Sequence, residues 1–282
     1  MIREIARFEP DLILLSDTGI RSTTDVLKYF RKQNRCVIVQ WLADLIDSFP
    51  FVYENLKYCD RFYVANPFEA ARVKELNLCR TEYLPLACWP ETERTVSLSA
   101  KDKAFYGTDV SFVGTVKKAL VNRSGFFDEL LNGELDFGVR IWDFWAEDLI
   151  KTHPQFTEYV QTRPVSSMSR TRVYNASKIN LNIQHEGIVG IGNLRFFGIP
   201  ASGGFQLCNK RDQAHLFEPY LGDLIRLTAF FNTVKEFKES VRYYLKNEKE
   251  RMEMAEEAHR IVHEKHTYAL RVKEIINDVG LT

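Results

Sequence analysis

The sequence carries no surplus of either charge: its 282 residues hold 38 lysines and arginines against 38 aspartates and glutamates. Without a basic excess, the electrostatic drive behind sequence-independent nucleic-acid binding is missing. No run approaches the ~20 apolar residues that a membrane span requires, and the first residues lack the layout of a secretory leader. Cysteine is scarce. Cys36, Cys59, Cys79, Cys88 and Cys208 are odd in number, scattered and never spaced C-x-x-C, which disfavours a disulfide framework or a zinc site and predicts reduced thiols. Two N-x-S sequons, at Asn122 and Asn175, carry little weight in a chain with no visible route to a glycosylating compartment. Together these absences predict a cytoplasmic globular protein.

What is present is alternation. An apolar fraction of 45% suits an ordinary packed core, and short apolar runs alternate with amphipathic stretches, the pattern of βαβ units around a parallel sheet. Strands are expected over 11–16, 35–42, 61–65 and 82–86, with helices over 22–32, 51–57 and 67–76. From 89 to 107 the chain turns polar and loses its period, as an interdomain linker does. A second α/β half then begins, with strands over 110–113, 137–142, 179–183 and from 205. Helices are expected over 124–131, 170–176 and 194–202. Val234, Phe237, Val241, Tyr244 and Leu245 share one helical face in an all-helical C-terminus. The expected domains are residues 1–104 and 105–282.

Five stretches of the second half, DVSFVGT (109–115), VRIWDFW (139–145), YNASKINLNI (174–183), GNLRFFGIPASGGFQL (192–207) and the H-T-Y-x-x-R of 266–271, resemble in order and spacing the glycosyltransferase family that includes spore maturation protein CgeB. The resemblance implies an α/β fold of two facing Rossmann-like domains, the GT-B architecture. It further implies a nucleoside-diphosphate sugar held mainly by the C-terminal domain, and an acceptor that the sequence does not identify. The first 100 or so residues resemble only the later part of that family's N-terminal domain, so this domain is read as shortened. A shortened sheet leaves a raw edge, which a homodimer or a partner chain would cover. No D-x-D occurs, so the diphosphate charge falls to arginine, lysine and a helix N-terminus, with no metal and no cofactor beyond the donor substrate.

On the donor side, Gly114-Thr115 follows a buried strand where backbone approaches a ligand closely. Arg123 lies eight residues on and is a candidate for neutralising phosphate. Asn193 and Arg195 open a helix whose free N–H groups favour anions, and Gly203-Gly204 end it. Lys178 and Asn182 flank the preceding strand. The competing readings are a tight turn with a surface arginine, an ordinary helix cap and a solvated lysine. A glutamate that commonly grips the nucleotide ribose in related enzymes aligns with Gly198, which makes a catalytically impaired binding or scaffold protein the alternative function. For catalysis, an inverting transferase needs a base. Asp44 and Asp17, each following a strand of the first half, are candidates, as is His185 past the strand that ends near 183. Loop capping is the commoner role of such aspartates, as an ordinary loop position is of such a histidine. His259, His263 and His266 fall on one helical face but are read as exposed rather than metal-binding.

Overall fold

The computed structural model describes residues 2–16, 23–33, 36–118, 121–163, 165–184 and 191–281. The chain forms two compact units, Met1–Leu86 with Ala269–Thr282, and Ala87–Tyr268. Where the sequence places a boundary at 104/105, the linker stretch packs with the second unit and the last helix with the first.

In the first unit, β1 (Leu12–Ser16), β2 (Val37–Leu42), β3 (Arg61–Val64) and β4 (Thr81–Tyr83) form one parallel sheet in sequential order. Helices α1 (Ile2–Phe8), α2 (Thr23–Gln33), α3 (Phe51–Leu56) and α4 (Pro67–Glu75) connect and cover them. Helix α4 starts where its chemistry dictates. Asn66 Oδ1 accepts from the Phe68 and Glu69 amides, and Pro67 occupies the first turn, where no N–H is needed. At the other end of the chain, the Asp278 carboxylate accepts from Arg61 Nε at 3.0 Å, Tyr63 Oη at 2.6 Å and Arg80 Nη2 at 3.2 Å. These bonds tie the last helix to the sheet and hold the carboxyl below its ordinary pKa.

The second unit contains α5 (Ala100–Tyr106), β5 (Val110–Val113), a small antiparallel pair β6 (Lys117–Lys118) and β7 (Val121–Asn122), α6 (Ser124–Leu131), β8 (Val139–Trp142) and α7 (Ala146–Thr152). It continues with α8 (Ser167–Ala176), β9 (Ile179–Asn182), α9 (Leu194–Ala201), β10 (Gln206–Asn209), α10 (Arg211–Ala214), α11 (Glu218–Ile225) and β11 (Ala229–Phe231). Helices α12 (Val234–Lys246), α13 (Glu248–Lys265) and α14 (Tyr268–Asp278) complete the chain. The main sheet runs β11-β10-β9-β5-β8, all parallel. From β5 the chain moves outward to β8, then crosses back to β9 and continues the other way. The gap between β5 and β9 is therefore a topological switch point, the place where crossover connections leave on opposite faces and a crevice opens at the carboxyl ends.

Buried aromatic and branched side chains, among them Phe112, Phe127, Ile141, Leu181, Leu207, Phe231 and Phe237, pack one side of this sheet. At the amino end of β10, Gly204 leaves no room for a side chain: a Cβ there would lie 2.5 Å from Asn180 Nδ2 and 3.0 Å from the Tyr174 carbonyl. Gly204→Ala should therefore cost about 1–3 kcal/mol of stability by overpacking. Gly133→Ala, whose Cβ would meet only the end of Lys238 at 3.9 Å, should stay within about 0.5 kcal/mol of the parent. Urea midpoints of the two variants check the contrast; equal midpoints would show that Gly204 is not a packing position.

Candidate functional site

Two arginines meet at the switch point. Arg123, directly ahead of α6, donates from Nε to the Ile183 carbonyl at 2.7 Å and from Nη1 to the Thr115 carbonyl at 2.7 Å. Arg195, in the first turn of α9, donates from Nη2 to the same Ile183 carbonyl at 2.8 Å and from Nη1 to the Val113 carbonyl at 3.3 Å. Its Nε donates to Asn182 Oδ1 at 3.1 Å. Thus the strand-end carbonyls of β5 and β9 gather both guanidinium groups at one place.

Each part of the surrounding chain has a job in that arrangement. Gly114, at φ +150°, has to be glycine, because a Cβ there would sit 2.5 Å from Arg195 Nη1. The turn behind it is fixed by Asp143 at the end of β8, whose carboxylate accepts from the Val116 amide at 2.5 Å and the Trp145 amide at 2.6 Å. The Arg123 amide in turn donates to the Val116 carbonyl at 2.8 Å. Asn193 caps α9 by accepting from the Phe196 amide at 3.0 Å. Its Nδ2 donates to Asn182 Oδ1 and to Gln184 Oε1, both at 2.9 Å. Asn182 is fully buried and passes the network on to Gln206 Oε1 at 3.0 Å. The side chains of Asn182 and Asn193 are thus spent on aiming Arg195.

The electrostatics are those of clustered, desolvated positive charge. Arg123 is only 9% exposed, and among the described residues neither arginine has a carboxylate within ion-pair distance. Burial, followed by the like charge of Arg195, pushes the Arg123 guanidinium down to about 9, and Asp143 offsets part of this. Burial likewise lowers Arg195. Two desolvated, unpaired cations side by side are costly unless an anion joins them. Each guanidinium carries five N–H donors, and the protein uses only some of them, so a multi-oxygen anion such as a diphosphate can accept the rest.

The structure separates other expected members from this set. Lys178 precedes β9, at the amino end of the sheet, and its Nζ is paired with Asp109 at 2.8 Å. Gly203, at φ +77°, and Gly204 lie where α9 enters the amino end of β10, so they serve packing and helix termination rather than the carboxyl-end crevice. The sequence reading missed strand polarity here: residues before and after one strand lie at opposite ends of a parallel sheet. It also missed Asp143, whose signal lay inside the VRIWDFW stretch. Lys210 is a second omission. It follows β10 in left-handed conformation, φ +65°, at the same carboxyl edge as the arginines.

In the first unit, Asp44 is exposed just past the end of β2; Asp17 and His185 lie outside the described residues. The three histidines correct an expectation. His259 Nδ1 bonds the Pro200 carbonyl at 3.1 Å and His263 Nε2 the Ala201 carbonyl at 2.9 Å, while His266 Nε2 meets Asp223 Oδ1 at 3.1 Å. They are not solvent-facing by chance. The first two donate to carbonyls at the C-terminal end of α9, the helix that carries Arg195.

Residues 123–277, just over half of the chain, match the model of the glycosyl transferase-like family. The chain belongs to that family. Among solved structures, HepE from Anabaena in complex with UDP-glucose matches with a TM-score of 0.66 at 11% identity, covering 100% of this chain and 82% of HepE. Sucrose-phosphate synthase from Thermosynechococcus elongatus matches at 0.65 and 11% identity, covering 98% of this chain and 75% of that one. The UDP-forming α,α-trehalose-phosphate synthase from Burkholderia xenovorans, in complex with glucose-6-phosphate, matches at 0.67 and 11% identity, covering 98% and 76%. Among curated proteins none matches the chain by sequence. The fold is the α/β GT-B fold, and the family makes the chain a glycosyltransferase. Among the described residues, no helix is long and apolar enough to cross a membrane.

If the arginine pair is an anion site, inorganic pyrophosphate should bind and raise the melting temperature. Arg195→Met should weaken pyrophosphate binding about 10- to 100-fold, the loss expected for charge-assisted hydrogen bonds of about 1.5–3 kcal/mol. Calorimetric titration checks it; an unchanged affinity would remove Arg195 from the site.

Proposed function

We propose that this chain transfers a hexose from a UDP-linked donor to an acceptor, with the diphosphate held by Arg123 and Arg195. The observation that carries the reading is the convergence of a buried and a half-buried cation, Arg123 and Arg195, with no carboxylate in ion-pair range among the described residues, on the Ile183 carbonyl at the topological switch point. Preorganised guanidinium groups in a water-poor site favour the charge that develops on the departing diphosphate, so the reaction needs no metal bridge. Sucrose-phosphate synthase and the trehalose-phosphate synthase share the fold at low identity, and HepE carries UDP-glucose in its crystals. UDP-glucose is accordingly the first donor to test. Within the wider family we place the chain with the CgeB-like transferases, on the five stretches that run from Asp109 to Arg271.

For the acceptor hydroxyl we assign Asp44 as the base, with Asp17 and His185 as the other candidates. An inverting displacement requires a group that accepts the acceptor's proton as the oxygen attacks the anomeric carbon, while UDP leaves with the electrons of the cleaved C–O bond. Asp44→Asn should then lower kcat by about 100-fold or more with UDP affinity unchanged. Equal kcat in parent and variant would leave Asp44 as a loop residue.

Donor binding should also report the state of Arg123. Only the protonated guanidinium attracts the diphosphate, and burial places its loss of charge near pH 9. The terminal phosphate of UDP is already ionised above about pH 7. UDP affinity is therefore expected to be flat from pH 7 to about 8 and to fall as pH rises through about 9. A bound anion favours the protonated form, so binding above pH 9 should take up a proton. Calorimetry in buffers of different ionisation enthalpy measures both. The outcomes against the reading are UDP affinity independent of pH to 10, or no binding of UDP or UDP-glucose. Binding without donor hydrolysis or transfer over a broad acceptor panel would favour the scaffold alternative.

A further inference from the structure

Glycine at 198 leaves a gap on α9 that another segment fills. A Cβ at Gly198 would come within 2.7 Å of Glu93 Oε1, so the Glu93 carboxylate occupies the space in which a side chain from position 198 would begin. Glu93 is 6% exposed and belongs to the polar stretch at the start of the second unit. Its seat is well built. Oε2 accepts from the Trp89 amide at 2.9 Å and Oε1 from Arg170 Nη2 at 2.8 Å, while Thr171 Oγ1 holds the Thr92 carbonyl at 2.8 Å.

The neighbours of this carboxylate have unused hydrogen-bonding capacity. Among the described residues, neither Arg170 Nε nor Tyr174 Oη has a partner, and Tyr174 is 2% exposed. Buried donors without partners are uncommon and call for a reason. Tyr174 and Arg170 both interact electrostatically with Arg195, and Tyr174 with Glu93 as well, which puts the cluster on the Arg195 side of the site. A carboxylate can accept from two hydroxyl groups while an adjacent guanidinium N–H donates to their oxygens. That is the complement of a vicinal diol. A nucleoside-diphosphate sugar carries one such diol on the ribose and others on the sugar, on either side of the diphosphate.

The geometry points to Glu93, with Arg170, as a hydroxyl-recognising subsite that binds a vicinal diol of the nucleotide sugar and takes over a position that α9 leaves empty at Gly198. This assignment rests on the donor-binding function proposed above. It makes the polar stretch around Glu93 a specificity element, and it explains why a glycine at 198 is compatible with donor recognition.

Calorimetry on the whole chain tests it with two ligand pairs: UDP against 2′,3′-dideoxy-UDP, and UDP-glucose against its 2,3-dideoxyglucose analogue. The parent should prefer the hydroxylated member of at least one pair by about tenfold or more. Which pair shows the preference tells ribose from sugar. Glu93→Gln, which keeps size and shape, should lose most of that preference while pyrophosphate still binds through the arginines. The double variant E93A/G198E, which moves the carboxylate to the helix, should regain it; a purely structural role for Glu93 would not produce that recovery. The assignment is overturned if UDP binds in an Arg195-dependent way but the parent shows neither preference, or if Glu93→Gln keeps the preference intact. Failure of UDP to bind the parent at all would instead overturn the donor-binding reading, and this subsite with it.

Discussion

Ile183 carries a backbone carbonyl that accepts from two different arginines, at 2.7 and 2.8 Å. Like charges do not gather without cause: burial lowers the proton affinity of both guanidinium groups, and the charge of Arg195 lowers that of Arg123 further. The carbonyl dipoles at the ends of β5 and β9 are what make the approach tolerable. Around that point the sequence looks over-determined. Gly114 makes room for Arg195, Asp143 fixes the turn behind Gly114, and Asn193 and Asn182 aim the Arg195 Nε. Even the far end of α9 is braced, by imidazole N–H groups on the Pro200 and Ala201 carbonyls. Such preorganisation carries a stability cost, which a bound anion would recover.

Most of the fold was legible because parallel α/β units announce themselves by short apolar runs separated by amphipathic helices. The strands of both sheets fall where those runs lie, apart from β11, whose three residues Ala229–Phe231 are too few to stand out between helices. Arg123 and Arg195 were legible too, since each precedes or opens a helix in a segment that follows a strand. What the sequence concealed is three-dimensional bookkeeping at the sheet ends. Lys178 and Gly204 sit near the site residues in sequence, yet they lie before β9 and before β10, so the sheet carries them to its amino edge. The histidines of α13 read as a solvated face because nothing local marks a helix that packs across the end of another.

Glu93 was the least legible of all. It sits in a stretch with no periodicity, and its meaning comes from contacts 77 residues away, with Arg170. Gly198, taken alone, suggests a lost function. Seen with the Glu93 carboxylate in the space beside it, the same glycine is one half of a compensated pair. A single-position comparison registers the loss and misses the compensation, because the replacement comes from a different segment of the chain.

The central claim is that the paired arginines exist for a diphosphate. Crystals soaked with UDP test it most directly. The account predicts difference density for two linked phosphates at the carboxyl end of β5 and β9, with oxygens within about 3 Å of the Arg123 and Arg195 guanidinium nitrogens. Density for UDP elsewhere on the chain, with both arginines still bound only to the Ile183, Thr115 and Val113 carbonyls, would contradict it.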